Sequence, residues 1–173
     1  MTAFEKLDKV FKLQQSHVIQ LKRSPYKDRI EKLNKLKLLL ENKYRDLFCE
    51  SLKKDLSKPS VETDLTEIYP VIKEIKYVKR HLKSWLSKNY VSTPMVLLGS
   101  QSYTVYEPKG VCLIMSPWNF PVNLTLSPLI SAIAAGNTVI IKPSEMSSYT
   151  SAVLKEFIEE LFDENEVFLI EGD

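Results

Sequence analysis

Two short loops concentrate the polar side chains that could do chemistry, and the first of them follows an apolar run. This loop is Ser116-Pro117-Trp118-Asn119-Phe120-Pro121, directly after Val111 to Met115. Its two prolines limit the backbone conformations of the residues between them. A constrained asparagine presents a neutral amide donor, which can stabilise a developing oxyanion without changing its own protonation. The alternatives are that Asn119 only satisfies turn backbone, a common use of asparagine, and that Trp118 packs.

The second loop, Lys142-Pro143-Ser144-Glu145, follows the apolar run Thr138 to Ile141. Lysine donates hydrogen bonds and glutamate accepts them, so together they could hold the hydroxyls of a ribose. The alternative is a solvent-exposed pair at a helix start, where Glu145 also interacts favourably with the helix dipole. Ligands of open parallel sheets bind at the carboxyl ends of the strands, so we expect both loops to lie at one site.

The elements that would position these loops alternate between strand and helix. The predicted order is a strand over Val111 to Met115, a helix over Leu124 to Ala135 stopped by Gly136-Asn137, a strand over Thr138 to Ile141, a helix from a Ser147 or Ser148 cap to about Phe162, and a strand over Val167 to Ile170. Such alternation implies parallel crossovers and the start of a doubly wound nucleotide-binding domain. We expect the first strand to be covered on both faces.

Residues 1–90 have the spacing of helices. We predict that Ser24, before Pro25, and Ser60 are N-caps. A separate short helix is expected around Phe48, Leu52 and Leu56, and the longest helix should be kinked or divided at Pro70.

Between this helical part and the nucleotide-binding part, the pattern predicts a β-hairpin. Its strands are expected over Met95 to Leu98 and Gln101 to Tyr106, with Gly99-Ser100 at the turn. The predicted fold class is therefore α/β: a helical amino-terminal segment over 1–90, a hairpin over 91–107, and the first half of a doubly wound parallel-sheet nucleotide-binding domain over 108–173.

Composition and charge exclude several classes of protein. The chain of 173 residues is 44% hydrophobic and 27% charged, as in ordinary globular domains. Residues 1–90 hold 21 Lys and Arg against 12 Asp and Glu, whereas residues 91–173 hold 3 against 10. A basic half suggests nucleic acid as a partner. These lysines, however, are mixed with acids along helical patterns, which is typical of solvated helix faces, so we expect no nucleic-acid partner.

Targeting signals and metal ligands are not evident either. No apolar run approaches the roughly 20 residues of a membrane span, and the start MTAFEKLDKV lacks the apolar core of a signal peptide. Cys49 and Cys112 are too few for a disulfide framework and are expected to be buried thiols. We therefore predict a cytoplasmic protein with no metal site.

The two loops together resemble those of one enzyme family. The motifs P-W-N-F-P at 117–121, A-A-G-N at 134–137 and K-P-S-E at 142–145 have the order and spacing of the aldehyde dehydrogenase superfamily. The segment DLTEIYP at 64–70 resembles its class 3 branch, which includes fatty-aldehyde enzymes. The resemblance covers nearly the whole chain and is to the amino-terminal portion of the family. A related acyl-phosphate reductase is the less favoured reading, because the P-W-N-F-P loop is similar to that of the aldehyde dehydrogenases proper.

The resemblance implies a role for each loop. In the family a cysteine thiolate attacks the aldehyde, the thiohemiacetal is oxidised to a thioester, and a glutamate activates water for hydrolysis. Asn119 matches the asparagine that helps hold the oxyanion of the thiohemiacetal, and Ser116, Pro117 and Trp118 match a loop lining the cofactor site. Lys142 and Glu145 match residues that contact the adenosine ribose.

The cofactor implied is NAD or NADP, since a glutamate at position 145 is usually associated with NAD and class 3 enzymes often accept NADP. The family lacks a G-x-G-x-x-G motif, and this sequence lacks it as well. The hairpin around 93–107 matches part of the oligomerisation element, which implies a homodimer when the protein is complete.

The resemblance also implies what this stretch of sequence does not contain. The family's nucleophile and general base lie downstream of the K-P-S-E loop, and neither Cys49 nor Cys112 matches the nucleophile. We therefore expect the isolated 173-residue chain to be inactive. Because three strands of a larger sheet leave a buried strand as an open edge, we also expect the isolated chain to be aggregation-prone or loosely folded. The alternative hypothesis is a truncated, non-catalytic homologue that binds nucleotide or pairs with a full-length subunit.

Overall fold

Helices form the first half of the chain, and strands and helices alternate in the second half. The computed structural model describes residues 2–172, apart from the side chain of residue 3. Its elements are α1 (Ala3–Lys22), α2 (Tyr26–Leu39), α3 (Arg45–Leu56), α4 (Ser60–Thr63), α5 (Tyr69–Trp85), β1 (Asn89–Val91), β2 (Ser102–Thr104), β3 (Val111–Met115), α6 (Asn123–Ala135), β4 (Thr138–Lys142), α7 (Ser148–Leu161) and β5 (Val167–Leu169). No helix within this described part is long and apolar enough to cross a membrane.

The parallel sheet has the order β3-β4-β5, with β4 in the centre. Side chains alternate between the two faces of each strand. On one face, Val139 and Ile141 belong to the main core with α2, α3, α5, α6 and α7. On the other face, Ile140 and Phe168 pack with Val10 of α1. Helices therefore lie on both faces of the sheet, as the doubly wound class predicts.

The edge strand β3 is less covered than the sequence predicts. Ile114 is buried, but Leu113 and Met115 on the opposite face are 62% and 72% exposed. The prediction that both faces are covered is wrong for this strand, because α1 packs over only part of that face. A cavity remains between α1 and β3.

The main core is continuous from the helical segment to the sheet. Its largest side chains include Phe48 of α3 and Phe157 of α7, whose rings meet edge to face at 5.9 Å. Ile75 of α5 and Ile130 of α6 are fully buried in the same cluster. Burying each such side chain contributes about 1.5–3 kcal/mol. The helical segment and the sheet thus stabilise each other. This packing fixes the position of the sheet, and of the loops that follow its strands, relative to the helical segment.

Two π-helical turns modify the predicted helices. Leu40–Tyr44 joins α2 directly to α3, so the predicted separate helix around Phe48 is the end of a longer one. Asp64–Ile68 likewise joins α4 to α5 without a break, and Pro70 lies in the first turn of α5. The helix is therefore not divided at Pro70, and the irregularity of this stretch is the π turn that precedes Pro70. The residue before it, Tyr69, donates to Asp64 O across the wider turn.

The predicted N-caps Ser24 and Ser60 are wrong. The helices begin after Pro25 and Pro59, and neither has a side-chain cap. Ser24 Oγ instead donates to Leu21 O at 2.7 Å, closing the end of α1. The fixed φ of each proline starts the following helix without a capping hydroxyl.

The helix α7 is capped from a distance. Ser147 is at the predicted N-cap position, but its hydroxyl does not bond to the helix start. The carboxylate of Asp55, at the end of α3, accepts hydrogen bonds from the backbone N–H groups of Tyr149 and Thr150 at 3.2 and 2.7 Å. An anion at a helix N-terminus is favourable for its dipole as well as for its unpaired donors.

The predicted hairpin is present, but its first strand lies elsewhere. β1 pairs with β2 in antiparallel fashion, with Tyr90 opposite Tyr103. β2 falls inside the predicted range, whereas Met95–Leu97 is a 3-10 turn. Pro94 starts this turn, since Leu97 N donates back to Pro94 O at 2.9 Å. The segment therefore loops out between the strands.

Candidate functional site

The two candidate loops meet at the carboxyl edge of the parallel sheet. Met115 and Lys142 are register partners at the ends of β3 and β4. Immediately beyond them, Ser116 N donates to Lys142 O at 3.2 Å. The prediction that both loops lie together is confirmed. Their proximity follows from the parallel pairing of two strands of equal length.

The first loop is supported from beneath by hydroxyl groups. Ser116 is buried, and its Oγ lies 2.6 Å from Thr125 Oγ1 in α6. Thr125 also donates to Pro121 O at 2.6 Å. These bonds tie the start and the end of the loop to the first turns of α6, so the Ser116 hydroxyl is engaged in holding the loop.

The apex of the loop faces solvent. Pro117, Trp118 and Asn119 are exposed, and Trp118 retains 45% of its accessible surface. Among the described residues, no hydrogen bond holds the amide of Asn119, so the structure does not show the alternative in which this side chain satisfies turn backbone. Trp118 is likewise only partly packed. An amide that is presented to solvent on an anchored backbone can donate to an oxygen of a bound molecule.

The backbone of this loop rests on a buried ion pair that the sequence did not reveal. Lys58 Nζ lies 2.6 Å from Glu67 Oε1 and donates to Asn119 O at 3.1 Å. Glu67 Oε2 accepts from Val122 N and Asn123 N at 3.1 and 2.9 Å. A helical pattern of 3.6 residues per turn gives no signal for this pair, because Glu67 lies in a π turn.

The second loop contains a polar pair of opposite charge. Lys142 Nζ donates to Glu145 Oε2 at 2.9 Å, and both side chains are accessible to solvent. The pKa of the Glu145 carboxyl is lowered by its own backbone N–H first and by Lys142 second. Glu145 is therefore a carboxylate at neutral pH and an acceptor for hydroxyl groups. Lys142 and Glu145 thus form a solvent-accessible pair just before α7, and their side chains can also donate to and accept from a bound molecule.

Beside the second loop, a cavity of about 570 Å³ lies between α1 and the exposed face of β3. Pockets for small organic ligands commonly enclose about 300–1,000 Å³. Its walls are mostly apolar, and its charged residues are Lys142 and Glu171 at the carboxyl edge of the sheet and Asp8 in α1. The residues that define it include Phe4, Phe11, Leu113, Met115, Lys142 and Glu171. Lys142 thus borders this cavity, whereas the loop of Trp118 and Asn119 lies outside its lining.

The profile of the aldehyde dehydrogenase family matches residues 3–173. The chain belongs to the aldehyde dehydrogenase family. It is 44% identical over 144 residues to the 4,4'-diaponeurosporen-aldehyde dehydrogenase of Staphylococcus aureus, covering 83% of this chain and 31% of that protein. It is 34% identical over 147 residues to aldehyde dehydrogenase family 3 member H1 of Arabidopsis thaliana, covering 85% and 30%.

Solved aldehyde dehydrogenase structures have the same fold. The substrate-bound state of Staphylococcus aureus AldH superposes with a TM-score of 0.91 and 38% identity, over 96% of this chain and 36% of that one. The aldehyde dehydrogenase of Brucella melitensis biovar abortus 2308 superposes with a TM-score of 0.86 at 18% identity, over 100% and 35%. The chain spans about a third of the length of these relatives, and it matches their amino-terminal portion.

The two cysteines of this aldehyde dehydrogenase chain are poor nucleophiles. Cys112 is the second residue of β3, and Cys49 lies in α3; both are half-buried rather than fully buried as predicted. Burial raises the pKa of the Cys112 thiol. It also raises the pKa of Cys49, with a further contribution from Asp64. Nucleophilic cysteines have lowered pKa values, so neither thiol has the environment of the family's catalytic cysteine.

Proposed function

We propose that this chain forms part of an NAD(P)-dependent aldehyde dehydrogenase that oxidises an aldehyde to a carboxylic acid. The carrying observation is the position of Asn119, whose side-chain amide is presented to solvent on a backbone anchored at the carboxyl edge of the sheet. Family membership supports the reaction class. The balanced reaction takes one aldehyde, one water and one oxidised cofactor to one carboxylic acid, one reduced cofactor and one proton.

The proposed role of Asn119 is to donate to the carbonyl oxygen of the aldehyde. When a thiolate attacks the carbonyl carbon, that oxygen gains negative charge, and a fixed amide N–H stabilises it more strongly than it stabilises the neutral carbonyl. The amide stays neutral throughout, so it needs no proton transfer. The attacking thiolate is proposed to come from a cysteine other than Cys49 and Cys112, and the base that activates water from a further residue.

The residues of the second loop fit the adenosine end of a dinucleotide. Glu145 is a carboxylate that can accept from two ribose hydroxyls, and Lys142 can donate to the same ring from the edge of the cavity. Bound NAD(P) supplies the two-electron oxidant. Both NAD and NADP are proposed as cofactors; a 2'-phosphate would bring negative charge towards Glu145, which favours NAD.

Replacement of Asn119 by alanine tests the proposal in the full-length gene product that contains this chain. Loss of one oxyanion donor is expected to lower kcat for aldehyde oxidation by about 10²–10³-fold. The KM for NAD(P) should stay close to that of the wild type, because the ribose contacts are intact. Asn42→Ala provides a matched control, since Asn42 is an exposed asparagine on the π turn between α2 and α3.

Two outcomes would contradict the proposal. One is a wild-type protein that reduces neither NAD nor NADP with any of a series of aliphatic and aromatic aldehydes. The other is an N119A variant whose kcat equals that of N42A. Nucleotide binding without turnover in the first case would support the non-catalytic homologue instead.

A further inference from the structure

The buried ion pair beneath the first loop joins two segments that are distant from it in sequence. Lys58 lies between α3 and α4, and Glu67 lies in the π turn before α5. Their side chains are 6% and 0% exposed. Moving two charges out of water is unfavourable unless their remaining bonding capacity is also satisfied. The groups that form hydrogen bonds with the pair therefore indicate which part of the structure the pair supports.

Among the described residues, the remaining polar contacts of the two side chains are made to one stretch of chain, residues 119–123. Lys58 Nζ donates to Asn119 O and lies 4.4 Å from the centre of the Phe120 ring. Glu67 accepts from the backbone N–H groups of Val122 and Asn123, at the start of α6. That helix has no capping side chain of its own. One ion pair thus anchors the loop on both sides of Pro121.

This anchoring fixes the backbone of Asn119, whose side chain makes no hydrogen bond of its own within the described residues. The amide of Asn119 has no partner among the described residues, so its direction depends on where the backbone places its Cα and Cβ atoms. An oxyanion donor must lie within about 2.7–3.1 Å of the oxygen that gains charge. A displacement of about 1 Å can lower a rate by about 10²-fold.

We propose that Lys58 and Glu67 are positioning residues that act on catalysis through Asn119, an inference that rests on the proposed oxidation of aldehydes. Their effect is to preorganise the loop and not merely to stabilise the fold. The distinction has a measurable consequence: removing the pair should matter when Asn119 is present and should matter little once Asn119 has been replaced.

The experiment combines Lys58→Met with Asn119→Ala in the full-length gene product. In the wild-type background, K58M is expected to lower kcat by roughly 10–100-fold, with the KM for NAD(P) changed by less than about 2-fold. In the N119A background the same change should lower kcat by less than about 3-fold, because residues that act as a unit are non-additive. Lys32→Met is the matched control, since Lys32 also bridges distant elements through Glu166 but lies away from the loop.

A second readout needs no turnover, because Trp118 lies in the loop and every other tryptophan of the full-length gene product, Trp85 included, can be replaced by phenylalanine. In that background K58M should raise the acrylamide quenching constant of Trp118 and lower its fluorescence anisotropy, and K32M should leave both unchanged. If K58M does not fold, the neutral double variant K58M/E67Q is used in both experiments, since removing both charges avoids an unpaired buried one.

The outcomes separate the two proposals. Non-additive loss of kcat with a loosened Trp118 supports the positioning role. Equal losses of kcat in both backgrounds, or a Trp118 signal identical to that of K32M, would overturn it. A wild-type protein without aldehyde oxidation would refute the proposed function, and the positioning of the loop would then be decided by the fluorescence of Trp118 alone.

Discussion

Replacement of Gly136 by alanine should destabilise the fold by far more than a typical surface substitution. Gly136 ends α6 with φ +86°, a left-handed conformation that costs an L-residue about 1–2 kcal/mol. A Cβ atom there would also lie 2.8 Å from Arg29 Nη2 and 2.9 Å from Arg29 Cζ. The side chain of Arg29 would have to move.

Arg29 is not free to move without loss. Its guanidinium is buried and donates to Ala134 O at 2.8 Å, to Leu21 O at 3.3 Å and to Ser24 Oγ at 3.0 Å. A hydrogen bond from a charged group contributes about 1.5–3 kcal/mol. Loss of one such bond together with the backbone cost gives a predicted destabilisation of about 2.5–5 kcal/mol.

Urea unfolding followed by circular dichroism at 222 nm measures the effect in a double-mutant cycle with Arg29→Met. In the R29M background the steric conflict is absent, so G136A should cost only the backbone contribution of about 1–2 kcal/mol. Equal costs of G136A in both backgrounds, or a cost below about 1 kcal/mol in the wild type, would refute the assignment of the larger part to Arg29.

Three further predictions concern other parts of the chain. Asp55→Ala should lower the free energy of unfolding by about 2 kcal/mol, because α7 loses its capping carboxylate. The control Asp46→Ala, at an exposed ion pair, should lower it by less than about 0.5 kcal/mol in the same urea titration. Equal losses for the two variants would contradict the capping role. We propose that the homodimer implied by the family resemblance uses the segment between β1 and β2. Val96→Asp, at a side chain there that is 90% exposed, should then lower the mass measured by light scattering, and an unchanged dimeric mass would exclude this surface. Cys112 should react slowly with iodoacetamide at pH 8, since its raised pKa leaves little thiolate. The reaction, followed by mass spectrometry, should accelerate at higher pH and in urea. A rate for the folded protein at pH 8 equal to that of the urea-unfolded protein would contradict this prediction.

Much of the fold was predictable because local signals were consistent with the tertiary contacts. The helix from Asn123 and the strand that follows it were predicted from an apolar run, a Gly136 stop and a second apolar run, and the structure confirms each. The positions of helix starts were less predictable. Ser24 and Ser60 have the residue type of a cap, but a preceding proline or a competing acceptor decided where the helix begins.

The face of a helix was predictable only where its winding is regular. Val61 and Leu65 have the spacing of core residues, yet they are 68% and 64% exposed. The π turn over Asp64–Ile68 changes the angular progression of the side chains, and Thr63 and Glu67 are buried in this stretch together with Ile68. A pattern based on 3.6 residues per turn cannot anticipate that change.

The family, the alternation of strand and helix, and the two loops that hold Asn119, Lys142 and Glu145 could be predicted without tertiary information. Each of these depends on local patterns or on short motifs whose residues lie within about one element of each other. The tertiary structure alone decided how the loops are held. Asp55 bonds to an element 95 residues away, and Lys58 bonds to a loop 61 residues away. A buried charge is stable only beside specific partners, and those partners are set by how the chain folds and not by their distance along it.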